Sequence, residues 1–321
     1  MDFVELVVSQ RRVLATHIIE LTLAHPNGDT LPGFWAGAHL NLRLPNGITR
    51  AYSLVNPSQG EPADRYTLAV ALAPDSQGGS AYIHEHVVPG SRLQASAPAN
   101  HFALQPEAAP TWLVAGGIGI TPLLAMAREC DARGQSWVLS YACQSRAHAA
   151  YLDELPNGAQ PLQLHFDNEH NGQVLNVAQA LRNLPADAQV YCCGPAPMMQ
   201  AVREAAQAMG HPAAALHFEF FQADPTPSHS QSNQSFEIEL SRSGKVVHVA
   251  AEQSALDALE EADVIVPSVC REGVCGTCEC DVISGEVDHR DTLLSNEEKA
   301  ANQTMMLCVS RAKGPRLVLD L

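Results

Sequence analysis

Positive charge is scarce in this sequence. Of 321 residues, 19 are Lys or Arg and 35 are Asp or Glu, a formal charge of −16. So acidic a chain repels nucleic-acid phosphates and anionic lipid, which makes both poor partners. Long apolar runs are missing as well. The longest, residues 111–127, falls short of the about 20 residues that a membrane span needs, and a Gly-Gly pair and Pro122 interrupt it. Residues 1–12 lack the basic start and apolar core of a secretory signal, so a cytoplasmic protein is expected. No internal repeat is seen. Charged residues are only 17% and apolar ones 46%, which suits packed cores rather than disorder. Nine cysteines are present. Their odd count and the missing export signal favour reduced thiols or metal ligands over disulfides. The length suits two or three domains.

Three segments differ in pattern. Residues 1–105 carry short alternating strands, such as 39–47 and 65–73, broken by turn chemistry at 45–47 and 75–79. Closely spaced strands without long helices predict a small antiparallel β-barrel. Residues 106–222 alternate apolar strands (112–116, 137–142, 190–194) with helical stretches, one of them 198–210 ending in Gly210. That alternation predicts a parallel sheet in an α/β domain. Residues 223–234 are rich in Pro, Ser, Asn and Gln and are expected to form a linker. Residues 235–321 open with a hairpin, 236–240 against 245–249, then a short helix near 254–262 and a cysteine-rich loop.

That loop holds the strongest signal. Cys270, Cys275 and Cys278 stand as C-x4-C-x2-C, and 29 residues separate Cys278 from Cys308. This is the plant-type ligand spacing for a [2Fe–2S] cluster. Four thiolates must surround two irons, and a tight loop supplies the first three. Gly273 and Gly276 allow the backbone to close around the centre, and its N–H groups can then face the sulfurs. The alternative is structural zinc, whose loops usually present two paired short spacings, unlike the unequal ones here. Cys308 is expected on a strand. Cys280 would share a strand face with Cys278, which makes it the residue most easily mistaken for a ligand.

Three stretches, CREGVCGTCE, SGEVDHRD (284–291) and CVSRAKGPRLVLDL (308–321), resemble the C-terminal ferredoxin domain of the phthalate dioxygenase reductase family. That family includes the vanillate demethylase and carnitine monooxygenase reductases. The resemblance covers nearly the whole chain and implies a flavin barrel, a nucleotide domain and an α+β ferredoxin domain of β-grasp fold, in that order.

Arg50-Ala51-Tyr52-Ser53 is a weak four-residue motif alone, compatible with an exposed Arg and a core Tyr. On a strand Arg50 and Tyr52 share one face and Ser53 takes the other, so a bend would be needed for all three to meet one ligand. The resemblance implies that Arg50 pairs with a flavin phosphate, Tyr52 lies against the isoalloxazine and Ser53 bonds near N5. It also implies a phosphate loop at Gly78-Gly79-Ser80, with Ser80 as a candidate helix cap, although Gln77 stands where relatives often have Arg. FMN rather than FAD is implied by the resemblance, since the motif occurs with both.

Gly116-Gly117-Ile118-Gly119-Ile120-Thr121-Pro122 follows a strand and opens a helix. It departs from G-x-G-x-x-G because Pro122 replaces the last glycine. Its glycines could admit a pyrophosphate, with Thr121 capping the helix and Pro122 in its first position. A plain strand-to-helix turn is the alternative. Cys193-Gly194-Pro195 resembles the family's C-G-P motif, whose Cys lies near the nicotinamide, while Cys192 is expected in the core. Phe221, in the family's closing strand of this domain, would shield the flavin; a core aromatic is the other reading.

The resemblance implies an NADH-dependent reductase feeding a Rieske-type oxygenase, a demethylase or dioxygenase. Ser53, Cys193 and Phe221 would serve the chemistry. Two alternatives stand beside it: an FAD reductase of a diiron monooxygenase, and a non-catalytic iron–sulfur carrier or sensor. Arg146, after the second α/β strand, could meet a 2′-phosphate and so leaves NADPH open.

Residues 235–321 hold 16 Asp plus Glu and 8 Lys plus Arg, half the net charge of the chain. We expect this segment to dock on a basic patch of its acceptor. Turnover with the acceptor should fall as salt rises from low to about 0.5 M, where screening shortens to a few ångströms. A rate unchanged over that range would contradict electrostatic docking.

Overall fold

The computed structural model describes residues 3–73, 78–105, 110–155, 162–182, 185, 187–221 and 233–321. The turn expected at 75–79, Gln77, the 105/106 boundary and most of the 223–234 linker therefore fall partly or wholly outside the described residues. The chain forms two compact units, Met1–Glu219 and Phe220–Leu321. Among the described residues, no helix is long and apolar enough to cross a membrane.

The first unit contains two sheets. One comprises β1 (Phe3–Ala15), β2 (Ile18–Ala24), β3 (Ala38–Arg43), β4 (Thr49–Ser53), β5 (Tyr66–Ala71), β6 (Arg92–Ser96) and β7 (Ala99–Asn100), with α1 (Gly79–His86) between β5 and β6. Its strands pair antiparallel in the order β4-β3-β6-β1-β2-β5, and β7 joins β3. A bridge between Leu54 and Leu68, beside a Val55 N–H to Thr67 C=O bond of 2.9 Å, links the end of β4 back to β5. The ring of strands closes there, as the alternating pattern predicted. Leu6, Leu21, Leu23, Leu40, Leu42 and Leu68 fill the interior, all buried.

The second sheet is parallel throughout. It contains β8 (Thr111–Gly116), β9 (Trp137–Cys143), β10 (Leu162–Phe166), β11 (Gln189–Cys193) and β12 (Leu216–Glu219), with helices α2 (Ile120–Arg133), α3 (Val177–Leu181) and α4 (Ala196–Ala208). The spatial order is β10-β9-β8-β11-β12. The order reverses between β8 and β11, and such switch points open a crevice at the carboxyl ends of the strands. α4 starts two residues before the expected 198, directly after Pro195; Gly210, at φ +77°, lies just past its end.

The two sheets share one apolar core. Ile18, Ala36, Val55 and Phe102 from the barrel pack with Leu113, Leu123 and Tyr191. Polar contacts add to this. Glu154 binds both Arg12 and Arg128, Arg12 also binds Glu20 at 2.6 Å, and the buried Glu129 accepts the Ala36 N–H at 2.7 Å.

The second unit is α+β. A five-stranded sheet, β14-β13-β19-β15-β17, is built from β13 (Phe236–Leu240), β14 (Val246–Val249), β15 (Glu279–Ser284), β17 (Thr304–Met306) and β19 (Arg316–Leu319). A small pair, β16 (Val287–Asp288) with β18 (Arg311–Ala312), lies beside it, and α5 (Ala255–Glu261) and α6 (Asn296–Ala301) complete the unit. The hairpin and the helix stand where the sequence put them. Ser254 caps α5 through the Asp257 N–H at 3.0 Å. The pair β13 and β19, from opposite ends of the segment, runs parallel in the middle of the sheet. This is the β-grasp arrangement.

Candidate functional site

The cysteine loop follows α5. Gly273 and Gly276 have φ of +70° and +74°, a left-handed backbone that glycine adopts at little cost. A Cβ on Gly273 would also lie 2.6 Å from the Val309 side chain. Arg271 shares this conformation at φ +58° and is held by Asp257 (2.7 Å) and Glu260 (2.6 Å). Glu260 is thus an anchor of the loop.

The four sulfurs meet in sequence: Cys275 touches Cys270, Cys270 touches Cys308, and Cys308 touches Cys278. Cys275, Cys278 and Cys308 are buried and Cys270 is half-buried. The Glu272 N–H donates to the Cys270 sulfur at 3.3 Å. Hydrogen bonds from Cys275 and Cys308 hold the Cys270 thiol well below its ordinary range, and Cys308 does the same for Cys278. The same contacts push Cys275 and Cys308 upward. Four crowded thiols can all ionise only beside cationic metal, so the donor set fits an iron–sulfur centre. Cys308 lies in the turn after β17 rather than on a strand, because the chain must bend there to bring its sulfur to the loop. Cys280 stands apart, with Asp281, Asp320 and Arg242 as its charged neighbours and its thiol pushed up to about 11 by burial.

The R-x-Y-S strand is β4. It stays extended through Ser53, without the bend that would turn all three side chains to one ligand. Its two ends serve different neighbourhoods. Arg50 lies against Gly79, where a Cβ would be 3.0 Å from Arg50 Cγ, so the arginine reaches the start of α1. Gly78, at φ +95°, occupies the N-cap position. Ser80 is not the cap: it sits inside the first turn, and its Oγ accepts the Ala73 N–H at 3.2 Å. Tyr52 is half-buried against the barrel core, and burial pushes its phenol above the usual range. Ser53 is buried, and its Oγ donates to Glu219 at 3.3 Å. Three residues of strand place Arg50 and Ser53 about 10 Å apart.

Glu219 was missed by sequence reasoning. It ends β12, in register with Cys193 on β11. Burial pushes its carboxyl up to about 8, although the Ser53 hydroxyl pulls the other way. Burial, and then the Glu219 charge, push the Cys193 thiol well above its usual range. The signal available was a lone acid on an otherwise apolar closing strand, 217–221.

The glycine turns have a packing logic. A Cβ on Gly119 would lie 2.1 Å from the Cys193 carbonyl oxygen, and one on Gly116 would lie 2.6 Å from Pro195. A Cβ on Gly194 would lie 3.0 Å from Gly116 Cα. The turns after β8 and β11 therefore touch without side chains between them. Gly117, at φ +54°, faces open space. Its neighbours Gly117–Gly119 form a 3-10 turn, and α2 begins at Ile120. Thr121 does not cap that helix, since its Oγ donates back to the Ile118 C=O at 3.1 Å, and Pro122 is third rather than first in the helix. Proline is tolerated there because first-turn N–H groups have no intrahelical partner.

The surroundings of two further residues bear on readings left open above. Phe221 is 41% exposed and belongs to no core. Arg146 is paired with Glu169 at 2.7 Å. Cys192 is buried, as expected.

Residues 113–204 match the oxidoreductase NAD-binding domain family, and residues 238–313 match the 2Fe-2S iron-sulfur cluster binding domain family. The phthalate dioxygenase reductase of Burkholderia cepacia is 38% identical over 323 residues, covering 99% of this chain and 98% of its own. The chain belongs to the phthalate dioxygenase reductase family. A toluene-4-sulfonate monooxygenase system reductase subunit of Comamonas testosteroni is 43% identical over 319 residues, with 99% of each covered. A solved phthalate dioxygenase reductase, described as a modular structure for electron transfer from pyridine nucleotides to [2Fe–2S], superposes with a TM-score of 0.71 at 38% identity, covering 99% and 98%. An intact type IV self-sufficient cytochrome P450 monooxygenase gives 0.89 at 36% identity over 99% of this chain. The chain spans 41% of the length of that protein.

Two substitutions separate packing from ligand approach. Gly119→Ala forces a methyl group onto the Cys193 carbonyl and should cost about 3 kcal/mol of stability or more. Gly117→Ala should cost only about 1 kcal/mol for its left-handed backbone, yet raise the KM for NADH several-fold. Thermal denaturation and steady-state kinetics of both variants check this; equal behaviour would refute it.

Proposed function

We propose that this protein is the NADH-oxidising reductase component of an oxygenase system, with FMN as its flavin and a Rieske-type oxygenase as its acceptor. The Ser53–Glu219 hydrogen bond carries the reading, because it joins the flavin-motif strand to the carboxyl end of the parallel sheet. When bound, a flavin takes both electrons of a hydride and releases them singly, and a [2Fe–2S] cluster carries one at a time. Arg50, Gly78, Gly79 and Ser80 hold the flavin phosphate, whose charge and shape suit a guanidinium fork. Tyr52 would lie along the ring, and Ser53, about 10 Å from Arg50 along β4, would meet its reactive edge. The choice of FMN over FAD follows the family resemblance, since that span is common to both flavins. Gly116, Gly117, Gly119, Thr121 and Pro122 form the turn against which NADH places its pyrophosphate. Cys193, Gly194 and Pro195 would line the nicotinamide side. Cys270, Cys275, Cys278 and Cys308 bind the cluster. The domain limits follow the same division: barrel 1–105, nucleotide domain 106–222, linker 223–234, ferredoxin 235–321.

A second acceptor class has specific support. The strong likeness to the P450 chain favours a haem monooxygenase as the alternative to a Rieske partner.

The decisive experiment is composition with turnover. Purified protein should release FMN by mass, contain two irons and two sulfides per chain, and reduce cytochrome c faster with NADH than with NADPH. FAD in place of FMN would overturn the flavin assignment, and protein free of flavin and inert to NADH would overturn the whole reading.

Glu219 predicts a pH effect. Below about 8 its carboxyl is protonated and neutral. As pH rises through that value it ionises, and an anion beside the acceptor opposes the arrival of hydride. Flavin reduction by NADH, followed by stopped flow, should therefore slow above pH 8. The Glu219→Gln variant should lose that inflection, and an inflection kept by the variant would assign it elsewhere.

A further inference from the structure

The segment between β16 and α6 buries two ionisable side chains that the site above leaves unused. The His289 side chain is 7% exposed and the Asp291 side chain is fully buried. Asp291 Oδ1 accepts the N–H groups of Leu293 (3.1 Å) and Leu294 (2.7 Å), which fixes the turn leading to α6. Its Oδ2 has no hydrogen-bond partner and lies 3.8 Å from His289 Nδ1. Both ring nitrogens of His289 are also buried without a hydrogen bond. Burying an imidazole in this way is costly, and a core of ordinary design would avoid it.

Its place in the fold explains the exception. The segment is held between the two pieces of chain that carry the cysteines. A Cβ on Gly273, inside the cysteine loop, would be 3.1 Å from Asp291 Cα, and the Thr292 N–H donates to the Gly273 C=O at 3.2 Å. On the other side, the Arg290 N–H donates to Ser310 Oγ at 3.2 Å, two residues past Cys308. The charges facing His289 are mixed. Asp291 and, on β16, Asp288 favour its protonation; Lys299 on α6 and Lys313 after β18 oppose it. Burial outweighs them and holds the ring below its ordinary basicity, so it rests neutral at pH 7.

We propose that His289, paired with Asp291, is the proton acceptor of the iron–sulfur site, taking one proton from solvent when one electron reaches the four-cysteine centre. The inference rests on the reading that these cysteines hold a [2Fe–2S] cluster. The electron comes from the flavin, and the proton balances its charge. In a protein interior, one added negative charge on a neighbouring centre makes a buried base more basic. By linkage the proton makes the centre a better electron acceptor by the same factor.

The test is potentiometric titration of the full-length holoprotein, followed by electron paramagnetic resonance from pH 6 to 9. Native protein should show a midpoint potential that falls with pH over part of this range, at up to about 59 mV per tenfold change in proton concentration. His289→Gln should retain iron and sulfide but give a flat line. Asp291→Asn keeps the Oδ1 acceptor for the turn and should move the inflection to lower pH. A flat native profile, or a His289→Gln profile with the native slope, overturns the inference. Native protein without iron and sulfide overturns the cluster reading and this inference with it.

Discussion

At the point where the parallel sheet reverses its order, two turns of chain touch with no side chain between them. Gly116 and Gly119 lie against Cys193, Gly194 and Pro195, and a methyl group at any of the three glycines would collide with backbone or ring atoms. The β8–β11 ladder ends there, with Cys193 opposite Ala115, and the glycines let the two following turns close on each other.

The same end of the sheet is where the barrel contributes. β4 closes the ring of strands through Leu54 and Leu68, and the residue before that closure is Ser53. Its hydroxyl reaches Glu219 across two sheets that share a core. A carboxyl buried there is neutral over most of the physiological range. At the other end of β4, Arg50 meets α1. One short strand thus links the start of α1 to the end of β12.

Much of this was legible in the sequence. Alternation gave the barrel strands, strand–helix succession gave the parallel sheet, and cysteine spacing picked out Cys270, Cys275, Cys278 and Cys308 from nine candidates. These are local patterns, set by periods of two or 3.6 residues or by the reach of a loop. What escaped was non-local. Glu219 becomes notable only when Ser53, 166 positions earlier, arrives beside it. Gly119 looks like a phosphate glycine until Cys193 is seen against it. Ser80 and Thr121 have the composition of helix caps, but their hydroxyls are taken by Ala73 and Ile118. The stretch Asp288–Arg290 is polar in sequence, yet the His289 ring is buried.

Glu219 is also the last residue of the first unit. The peptide that leaves for the second unit therefore starts from the residue whose carboxyl accepts the Ser53 hydroxyl. A cut just beyond it would yield two working halves, one that still oxidises nucleotide and one that still shuttles charge, separated only by diffusion.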